Sequence, residues 1–545
     1  MKKLVSRFMA VLMAMTMILS MSMTAFAAEA PKGTLTVNNT VAGKTLDLYQ
    51  IFTATKNGDN VAYTLNSAYE GFFQNKITGA SKLTGEALSE KAYAYVKEQV
   101  GDDGSKGATF AKDILGWILS ASGETKTAVE STHSTADTAD TKTVIDNLVY
   151  GYYVVYPLGA TDTSTAPGNE TVKSVTSLVN VTDTTVTINM KSNYPTVVKK
   201  VNDKNADDVN IGDTVTYTLT SKVPDMTGYT SYVFNFKDTL AKGLTFGSIT
   251  SVKIGDVTIN ADTDGTKAEN TYTLTTKNNE DGTTEIKIEM NKFLASNANK
   301  AGQEIKVTYT ATLNKDAVTG FDPNTNKATV EYSNKPGTNE KGESEPSIVD
   351  VHTFDFTIFK YYLKDETQTA LANAEFELYK ANTAGNAADT DAKINIVDEG
   401  KGVYRQATAD EAKVTGFTSA KIVSDADGKV LVKGLEAGTY YLRETKAPEG
   451  YNKLLSDIKV VIEANYDPTT GKLTNYTVTY TYNGDPITVT NTDKLTSPEV
   501  PVENKTGAQL PSTGSKGALM VTLAGIVLFG ALTASKAFGK KKAKN

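Results

Sequence analysis

Apolar and polar residues alternate with a period of two along most of the chain. Clear runs begin at Thr214 (TVTYTLT), Ile305 (IKVTYTAT) and Tyr476 (YTVTYTY). Such alternation is typical of half-buried strands, and the Gly, Asp and Asn residues between the runs are typical of turns. The pattern predicts a mainly β protein of tandem immunoglobulin-like β-sandwiches. At about 150 residues per domain, it predicts roughly three domains.

One stretch, from Leu83 to Ile118, breaks this pattern because its apolar residues recur at helical spacing. It predicts a short helical insertion in the first domain. The stretch contains the only tryptophan, Trp117, and a packed helix face explains that residue better than a ligand site does. The Ser-, Thr- and Ala-rich segment from Thr125 to Thr143 predicts a loop.

The N-terminus has the pattern of a secretory signal. Basic residues at positions 2, 3 and 7 precede an apolar run that ends at Ala25-Phe26-Ala27. A basic start, a short apolar stretch and small residues around a cleavage point predict a signal peptide over residues 1–27. The run is too short to predict a stable membrane anchor.

The C-terminus combines three features in a fixed order. The motif Leu510-Pro511-Ser512-Thr513-Gly514 is followed by an apolar segment, 515–535, predicted to span a membrane, and by a basic tail, 536–545. This order resembles the cell-wall sorting signal that sortases read. The resemblance implies cleavage between Thr513 and Gly514 and transfer of the Thr carbonyl to an amine. It implies a sortase as partner and anchoring to the peptidoglycan of a Gram-positive cell wall.

Composition excludes several classes of function. Cleavage at both ends would remove nine basic residues and no acidic ones, so the formal net charge would fall from −7 to −16. An acidic surface argues against nucleic acid as a partner. The chain has no cysteine and only two histidines, which argues against thiol catalysis, a zinc site and a histidine triad. We therefore expect no cofactor, no metal and no turnover enzyme.

The third predicted domain brings three kinds of polar group to apolar strand faces. Side chains on one face of a strand repeat every two residues. The apolar residues that share a face with Lys360 are Phe354, Phe356 and Ile358. By the same rule Glu444 shares a face with Tyr440 and Leu442, and Asn491 shares one with Ile487 and Val489. We therefore expect Lys360, Glu444 and Asn491 to point into one core.

Burial changes the chemistry of these groups. A buried ammonium tends to lose its proton and a buried carboxylate tends to gain one. Neutral Lys360 would be a nucleophile, and protonated Glu444 could polarise the side-chain carbonyl of Asn491. Attack with loss of ammonia would leave an isopeptide bond between the first and last strands. An unreacted buried salt bridge beside an Asn is the alternative.

The segment from Tyr440 to Tyr451 reads YYLRETKAPEGY. It resembles the E-box of CnaB-type pilin domains (Y-x-L-x-E-T-x-A-P-x-G-Y) at every fixed position. The resemblance implies that Glu444 assists an isopeptide bond between Lys360 and Asn491. With the sorting motif, the chain resembles the sortase-assembled major pilins of the SpaA and fimbrial isopeptide-forming family.

The middle of the chain has a similar set of a lysine, an acidic residue and an asparagine, in which the acid is an aspartate. Lys199 shares a strand face with two valines, Asp238 ends a face rich in aromatic residues, and Asn326 begins an apolar one. The set resembles fimbrial isopeptide domains of CnaA type, in which Asp takes the assisting role. Asn324 and Asn334 have the same parity as Asn326 but lie beside turns. We therefore predict a second triad of Lys199, Asp238 and Asn326.

The first strand predicted for the first domain begins near Thr34 (TLTVN) and contains no lysine, and the position that matches the E-box Glu is not acidic, so we predict no internal isopeptide there. The resemblance implies a lysine near the end of this domain that accepts the Thr of the next subunit, usually within V-x-V-Y-P-K-N. This sequence departs from that pattern and reads VTINMKSN from Val186. Alternation turns Lys191 outward at that place, and we predict it as the polymerisation lysine, with Lys200 as the rival.

The predicted domains are the signal peptide (1–27), an N-terminal immunoglobulin-like domain (28–193), a CnaA-like domain (194–352), a CnaB-type domain (353–495) and a wall-proximal linker (496–513). The resemblance implies a pilus shaft subunit in contact with further copies of itself, minor pilins and peptidoglycan. The alternative is a wall-anchored monomeric adhesin with a clamped stalk that binds a host or other-cell ligand. An acceptor lysine distinguishes the two, because only a shaft subunit needs one.

Overall fold

The computed structural model describes residues 30–101, 104, 106–120, 129–135, 138–139, 141–161, 175–190, 193–492 and 496–506. The predicted signal peptide, the sorting motif at 510–514, the apolar segment 515–535 and the basic tail lie outside these residues, as does Lys191. Within the described ranges, no helix has the length and apolar character needed to cross a membrane.

The first domain is a pair of β-sheets with a helical insertion. Its strands are β1 (Lys32–Asn38), β2 (Leu46–Asn57), β3 (Asn60–Leu65), β4 (His133–Thr135), β5 (Lys142–Val149), β6 (Gly151–Pro157), β7 (Ser177–Val181) and β8 (Thr185–Asn189). Its helices are α1 (Glu70–Lys76), α2 (Gly85–Val100) and α3 (Gly107–Leu119), with a 3-10 turn at Ser67–Tyr69. The segment predicted as a loop, Thr125–Thr143, therefore contains β4 and the start of β5.

One sheet of this domain has the order β5-β1-β8 and the other β3-β2-β6-β7, with β4 beside β2. The closing strand β8 runs parallel to the opening strand β1. The helices bury aromatic residues against the second sheet, and Trp117 packs edge-on against Phe72. The predicted helical insertion and the packing of Trp117 are confirmed.

The middle domain is a larger sandwich. Its elements are β9 (Val198–Val201), β10 (Ala206–Asp208), β11 (Thr214–Lys222), β12 (Phe234–Leu240), β13 (Leu244–Ile254), β14 (Val257–Thr258), β15 (Asn260–Ala261), β16 (Thr271–Asn278), β17 (Thr284–Met290), α4 (Phe293–Asn297), β18 (Glu304–Leu313), β19 (Asn324–Ser333), β20 (Lys341–Glu343) and β21 (Ser347–His352). The sheet β14-β13-β18-β11-β9 faces the sheet β10-β21-β19-β12-β17-β16-β15, with β20 beside β19. A core of aromatic and β-branched side chains fills the space between them.

The C-terminal domain is the third sandwich. Its elements are β22 (Phe354–Lys364), β23 (Thr367–Ala370), β24 (Glu375–Ala381), β25 (Ala388–Lys393), β26 (Ile396–Gly400), β27 (Val403–Gln406), α5 (Ala409–Lys413), β28 (Ile422–Val423), β29 (Lys429–Leu435), β30 (Gly438–Lys446), β31 (Ile458–Tyr466), β32 (Leu473–Thr481), β33 (Ile487–Asn491) and β34 (Glu499–Glu503). One sheet has the order β23-β22-β29-β27-β26, with β34 beside β22; the other is β25-β24-β30-β31-β32-β33, with β28 beside β24. The prediction of a mainly β protein of tandem sandwiches is confirmed.

The predicted end of this domain at residue 495 needs correction. Strand β34 lies in the segment predicted as a linker, yet it pairs in parallel with β22, Lys360 opposite Val502. Val500 and Val502 are buried in the core. The last strand of the domain is therefore β34, and the predicted last strand, β33, is an edge strand of the opposite sheet.

Direct contacts join neighbouring domains. The Lys44 ammonium of the first domain donates to the Tyr332 hydroxyl of the middle domain at 3.0 Å. Between the middle and C-terminal domains, Asp208 accepts hydrogen bonds from the Ala437 amide (2.6 Å) and the Tyr466 hydroxyl (3.0 Å). Each junction thus has polar contacts in addition to the connecting chain.

Candidate functional site

The middle-domain site lies between the two sheets. Lys199 extends from β9 of one sheet, and Asp238 and Asn326 extend from the neighbouring strands β12 and β19 of the other. All three are buried: Lys199 is 2% exposed, Asp238 3% and Asn326 0%. Alternation along each strand turns these side chains inward, as the sequence predicted.

A fourth residue, Tyr309 on β18, connects the three. Lys199 Nζ lies 2.5 Å from Asp238 Oδ2 and donates to the Tyr309 hydroxyl at 2.8 Å. The hydroxyl donates to Asp238 Oδ2 at 2.7 Å and accepts from Asn326 Nδ2 at 2.7 Å. Lysine, carboxyl and amide therefore belong to one hydrogen-bonded cluster.

Burial sets the electrostatics of this cluster. Loss of water lowers the pKa of Lys199 to about 8 even though Asp238 opposes the shift. The same loss of water raises the pKa of the Asp238 carboxyl. Both shifts favour the uncharged forms, an amine beside a carboxylic acid, which is the pairing that nucleophilic attack requires.

Two acceptor oxygens of this cluster have no partner. Asp238 Oδ1 and Asn326 Oδ1 are both buried without a hydrogen bond within the described part of the chain. An unsatisfied buried acceptor costs free energy, roughly 1–3 kcal/mol each. A proton on the carboxyl would turn one of these acceptors into a donor.

The rival residues of the middle domain lie elsewhere. The Asn324 amide is used by the backbone, since it bonds both the N–H and the C=O of Val318. Asn334 follows β19, eight residues beyond Asn326, at the side of the domain that faces Gly159 of the first domain. Lys200 points away from the core and donates to Asn205. The structure therefore groups Asn326, and neither rival Asn, with Lys199.

The C-terminal site contains two of its three predicted residues. Lys360 on β22 and Glu444 on β30 are buried, and their charged atoms lie 3.4 Å apart. Lys360 Nζ also donates to the Val502 carbonyl at 3.2 Å. Burial lowers the pKa of Lys360 to about 8 despite the nearby Glu444. As in the middle domain, the lysine is shifted towards the neutral amine.

The amide at this site belongs to Asn504 and not to Asn491. Asn504 follows β34, is 1% exposed, and donates to Glu444 Oε2 at 3.1 Å. Its amide nitrogen also donates to the Asn452 carbonyl at 2.7 Å. Because β34 runs parallel to β22 with Val502 opposite Lys360, Asn504 lies on the inward face beside the lysine.

The prediction for Asn491 was therefore wrong about its place. Asn491 ends β33, opposite Tyr476, and its amide donates to the Tyr476 hydroxyl at 3.4 Å and to the Thr496 carbonyl. The Tyr476 hydroxyl in turn bonds Asp355 at 3.1 Å. Asn491 is buried, as alternation predicted, but it faces this separate polar group.

Asn504 had the same sequence signal as Asn491. Val500, Val502 and Asn504 alternate as Ile487, Val489 and Asn491 do. Pro498 and Pro501 weaken the strand signal of that segment, because proline is rare in central strands. Proline is compatible with β34 because this strand forms the edge of its sheet beyond β22. Tyr309 carried no comparable signal, because tyrosines recur throughout the alternating runs.

The two sites share a pattern of unsatisfied atoms. At the C-terminal site Glu444 Oε1 and Asn504 Oδ1 are buried without a hydrogen-bond partner within the described ranges, like Asp238 Oδ1 and Asn326 Oδ1 in the middle domain. Each site thus combines a buried lysine with a carboxyl oxygen and an amide oxygen that accept no hydrogen bond. In the C-terminal site that carboxyl oxygen, Glu444 Oε1, is the atom 3.4 Å from Lys360 Nζ. Among the described residues, no group of three or more His, Cys, Asp or Glu side chains is suited to a metal ion.

Comparison with known families identifies the middle and C-terminal domains. Residues 211–336 match the family described as Gram-positive pilin backbone subunit 2, Cna-B-like domain, and residues 358–477 match the SpaA prealbumin-like fold domain. The chain thus contains one region similar to a Gram-positive pilin backbone domain and one similar to the SpaA prealbumin-like fold domain. The family that matches residues 211–336 is described as Cna-B-like. On sequence alone, we compared this region with domains of CnaA type. Neither match extends to Asn491 or Asn504.

Relatives of known name are also pilus or surface proteins. The Trypsin-resistant surface T6 protein of Streptococcus pyogenes serotype M6 is 26% identical over 310 residues, 54% of this chain and 50% of that protein. The matched region thus spans about half the length of that relative. The solved T6 backbone pilin is 16% identical, with 88% of this chain and 100% of that chain covered and a TM-score of 0.44. The major pilin SpaA of Corynebacterium diphtheriae is 17% identical, with 87% and 99% covered and a TM-score of 0.44.

The first domain has the closing-strand arrangement of the C-terminal pilin domain without its polar groups. Tyr153 and Tyr440 each donate to the carbonyl four residues earlier, which relates β6 to β30. Four residues after Tyr440 stands Glu444, whereas four residues after Tyr153 stands Pro157. In β1 the inward residue Val37 pairs with Ile188, and Met190, two residues on, is buried. Apolar side chains thus occupy the three corresponding positions.

Proposed function

We propose that this chain is the structural shaft subunit of a covalent pilus, and that two isopeptide bonds formed by the protein itself, Lys199–Asn326 and Lys360–Asn504, clamp its middle and C-terminal domains. A sortase joins Thr513 of one subunit to Lys191 of the next. The finished polymer is attached to peptidoglycan at the cell surface. Each of these two domains is its own substrate and reacts only once.

The observation that carries the proposal is the repetition of one buried set of groups in two sandwiches. In both, a lysine with a lowered pKa lies against a carboxyl, and one carboxyl oxygen and one amide oxygen accept no hydrogen bond. A proton carried on that carboxyl supplies the missing donor to the amide oxygen. The family matches over 211–336 and 358–477 support a pilin context for both sites.

The reaction balances within each site. The lysine first transfers a proton to the carboxylate, which leaves a neutral amine and a carboxylic acid. The amine nitrogen attacks Cγ of the Asn, a C–N bond forms, and the carbonyl electrons move to the oxygen held by the acid. When the carbonyl reforms, the bond from Cγ to the original amide nitrogen breaks. That nitrogen takes the proton which the lysine nitrogen loses and leaves as ammonia.

Intact mass of the fragment from Ala28 to Thr513 tests the clamps. The wild-type fragment is expected to lack the mass of two ammonia molecules. Lys199→Ala, Lys360→Ala and Asn504→Ala should each restore one, whereas Lys200→Ala and Asn491→Ala should restore none. A folded wild-type fragment of full calculated mass would refute self-formed bonds.

Co-expression of the full chain with a pilus sortase tests the shaft. Wild type and Lys200→Ala should form a ladder of covalent multimers, and Lys191→Ala or Thr513→Ala should not. A monomer attached to the wall in every case would instead identify a monomeric adhesin. A ladder that persists in Lys191→Ala and is lost in Lys200→Ala would make Lys200 the acceptor.

A further inference from the structure

Tyr309 is the only described side chain that bonds all three reacting groups of the middle-domain site. Its hydroxyl accepts from Lys199 Nζ and Asn326 Nδ2, at 2.8 and 2.7 Å, and donates to Asp238 Oδ2 at 2.7 Å. The hydroxyl has one hydrogen and two lone pairs, so these three bonds use its full capacity. The hydroxyl therefore lies between Lys199 Nζ, which must lose a proton, and Asn326 Nδ2, which must gain one.

The surroundings keep this hydroxyl neutral. Burial raises the pKa of Tyr309 well above its usual value, and the carboxyl of Asp238 adds to the shift. A neutral hydroxyl can accept a proton on one side while it releases its own on the other, so no net charge builds up in the core. Charge in a buried site is costly.

The C-terminal site has no equivalent hydroxyl among its described contacts. There Lys360 Nζ bonds the Val502 carbonyl, and Asn504 Nδ2 bonds Glu444 and the Asn452 carbonyl. Glu444 itself touches both nitrogens, at 3.4 and 3.1 Å. One carboxyl can therefore serve both groups there, whereas in the middle domain the amide nitrogen bonds Tyr309.

We propose that Tyr309 is the proton carrier of the middle-domain reaction, passing a proton from Lys199 Nζ to the leaving nitrogen of Asn326. This inference rests on the proposed crosslinking function. After attack, the former amide nitrogen is a basic amine with a free lone pair. The Tyr309 O–H turns from Asp238 to this nitrogen and gives up its proton, the hydroxyl oxygen takes the surplus proton from Lys199 Nζ, and the Cγ–Nδ2 bond breaks to release ammonia. Tyr309 ends as it began.

The chain offers a matched control substitution and a reference reaction in the same molecule. Tyr217 is buried beside Tyr309, with ring centres 5.1 Å apart, and its hydroxyl has no hydrogen-bond partner within the described part of the chain. The Tyr217 ring lies under Lys199 Nζ, 4.7 Å from it, and phenylalanine keeps that ring. Tyr217→Phe therefore removes a buried hydroxyl from the same core and leaves the three hydrogen bonds of Tyr309 in place. Formation of the Lys360–Asn504 bond in the same molecule reports that the chain was made and that its C-terminal domain folded.

The experiment follows both bonds over time after cell-free synthesis of the full chain, by mass of the crosslinked proteolytic peptides. We expect Tyr309→Phe to slow formation of the Lys199–Asn326 bond by about 100-fold or more relative to formation of the Lys360–Asn504 bond. Loss of a proton-transfer group usually lowers a rate by about this factor. Tyr217→Phe should slow formation of the Lys199–Asn326 bond by less than about tenfold on the same scale. Equal rates in Tyr309→Phe and wild type would overturn the relay.

A second substitution separates proton transfer from positioning. A fluorinated tyrosine at position 309 keeps the ring and the hydroxyl but makes the hydroxyl more acidic, so a relay predicts a changed rate and mere positioning an unchanged one. If Tyr309→Phe does not fold, the fluorinated tyrosine still distinguishes proton transfer by Tyr309 from mere positioning. If wild type itself forms no Lys199–Asn326 bond, the proposed crosslinking of this domain fails, a result distinct from failure of the relay.

Discussion

At the scale of single residues, the two lysines are the unusual feature of this protein. Lysine is rarely buried, yet Lys199 is 2% exposed and Lys360 is 0% exposed. Each lies against one carboxyl, and loss of water dominates the shift of both pKa values. An unreacted buried pair of this kind would contribute little to stability. Conversion to an amide removes both charges and replaces the pair with a covalent bond.

The lowered pKa of Lys360 predicts a pH dependence in the unreacted protein. In Asn504→Ala, Lys360 stays an amine with a pKa of about 8 in the folded state and 10.5 when unfolded. Between these values the unfolded chain binds more protons, so the free energy of unfolding should rise with pH from about 8 to 10.5, by up to about 3 kcal/mol. Below pH 8, Lys360 is protonated in both the folded and the unfolded state, so the destabilisation that its buried charge causes should not change with pH.

Urea unfolding at pH 7.5 and pH 10 measures this effect. The control is Asn504→Ala combined with Lys360→Met, which keeps every other titrating group. The difference between the two variants should shrink as the pH rises. A difference independent of pH would show that Lys360 is not the shifted group.

At the scale of elements, strand β34 determines whether the C-terminal site is complete. It pairs in parallel with β22 and buries Val500 and Val502 in the core. Strands β33 and β34 belong to opposite sheets of the sandwich. Because β34 joins the sheet of β22, it lies next to Lys360 and brings Asn504 to the lysine.

A pair of substitutions tests the role of β34. Val500 is fully buried, and Val500→Asp should destabilise the C-terminal domain by several kcal/mol, because it buries a charge without a partner. It should also prevent the Lys360–Asn504 bond. Ile487 on β33 is 52% exposed, so Ile487→Asp should change the free energy of unfolding by about 0.5 kcal/mol or less.

Thermal unfolding and intact mass together measure both effects. Equal, small effects of the two substitutions would contradict the assignment of β34 as the last strand of the core.

At the scale of the whole molecule, the proposed bonds protect the three domains unequally. A tensile load runs along the chain from one end to the other. A bond between Lys360 and Asn504 would carry that load past nearly the whole C-terminal domain. A bond between Lys199 and Asn326 would leave β20 and β21 outside its loop. The described part of the first domain has apolar side chains at the corresponding positions, so the proposal gives this domain no clamp.

Single-molecule stretching of the Ala28–Thr513 fragment should therefore show one long extension per subunit. Unfolding of Lys32–Asn189, about 160 residues, should release on the order of 500 Å of chain. Lys360→Ala should add a second long step of similar size, from the C-terminal domain. Lys364→Ala, which removes an exposed lysine from the same strand, should not add one. A wild-type fragment with three long steps would contradict the proposed clamps.

Sequence alone determined the mainly β fold, the helical insertion and the inward faces of the strands that it recognised. Alternation with a period of two placed Lys199, Asp238, Asn326, Lys360 and Glu444 inside a core, because a strand turns successive side chains to opposite sides. The helical period identified the insertion. These properties depend on neighbouring residues only, so they can be predicted from a local pattern.

Only the tertiary structure decided which inward groups meet. Asn491 and Asn504 carry the same local pattern, and the choice between them depends on which strand pairs with β22, a contact between segments some 140 residues apart. The contact of Tyr309 with three groups on three other strands is also a product of sheet packing. Alternation fixes the face of a side chain but not its distance from another strand, and reaction between two groups depends on that distance.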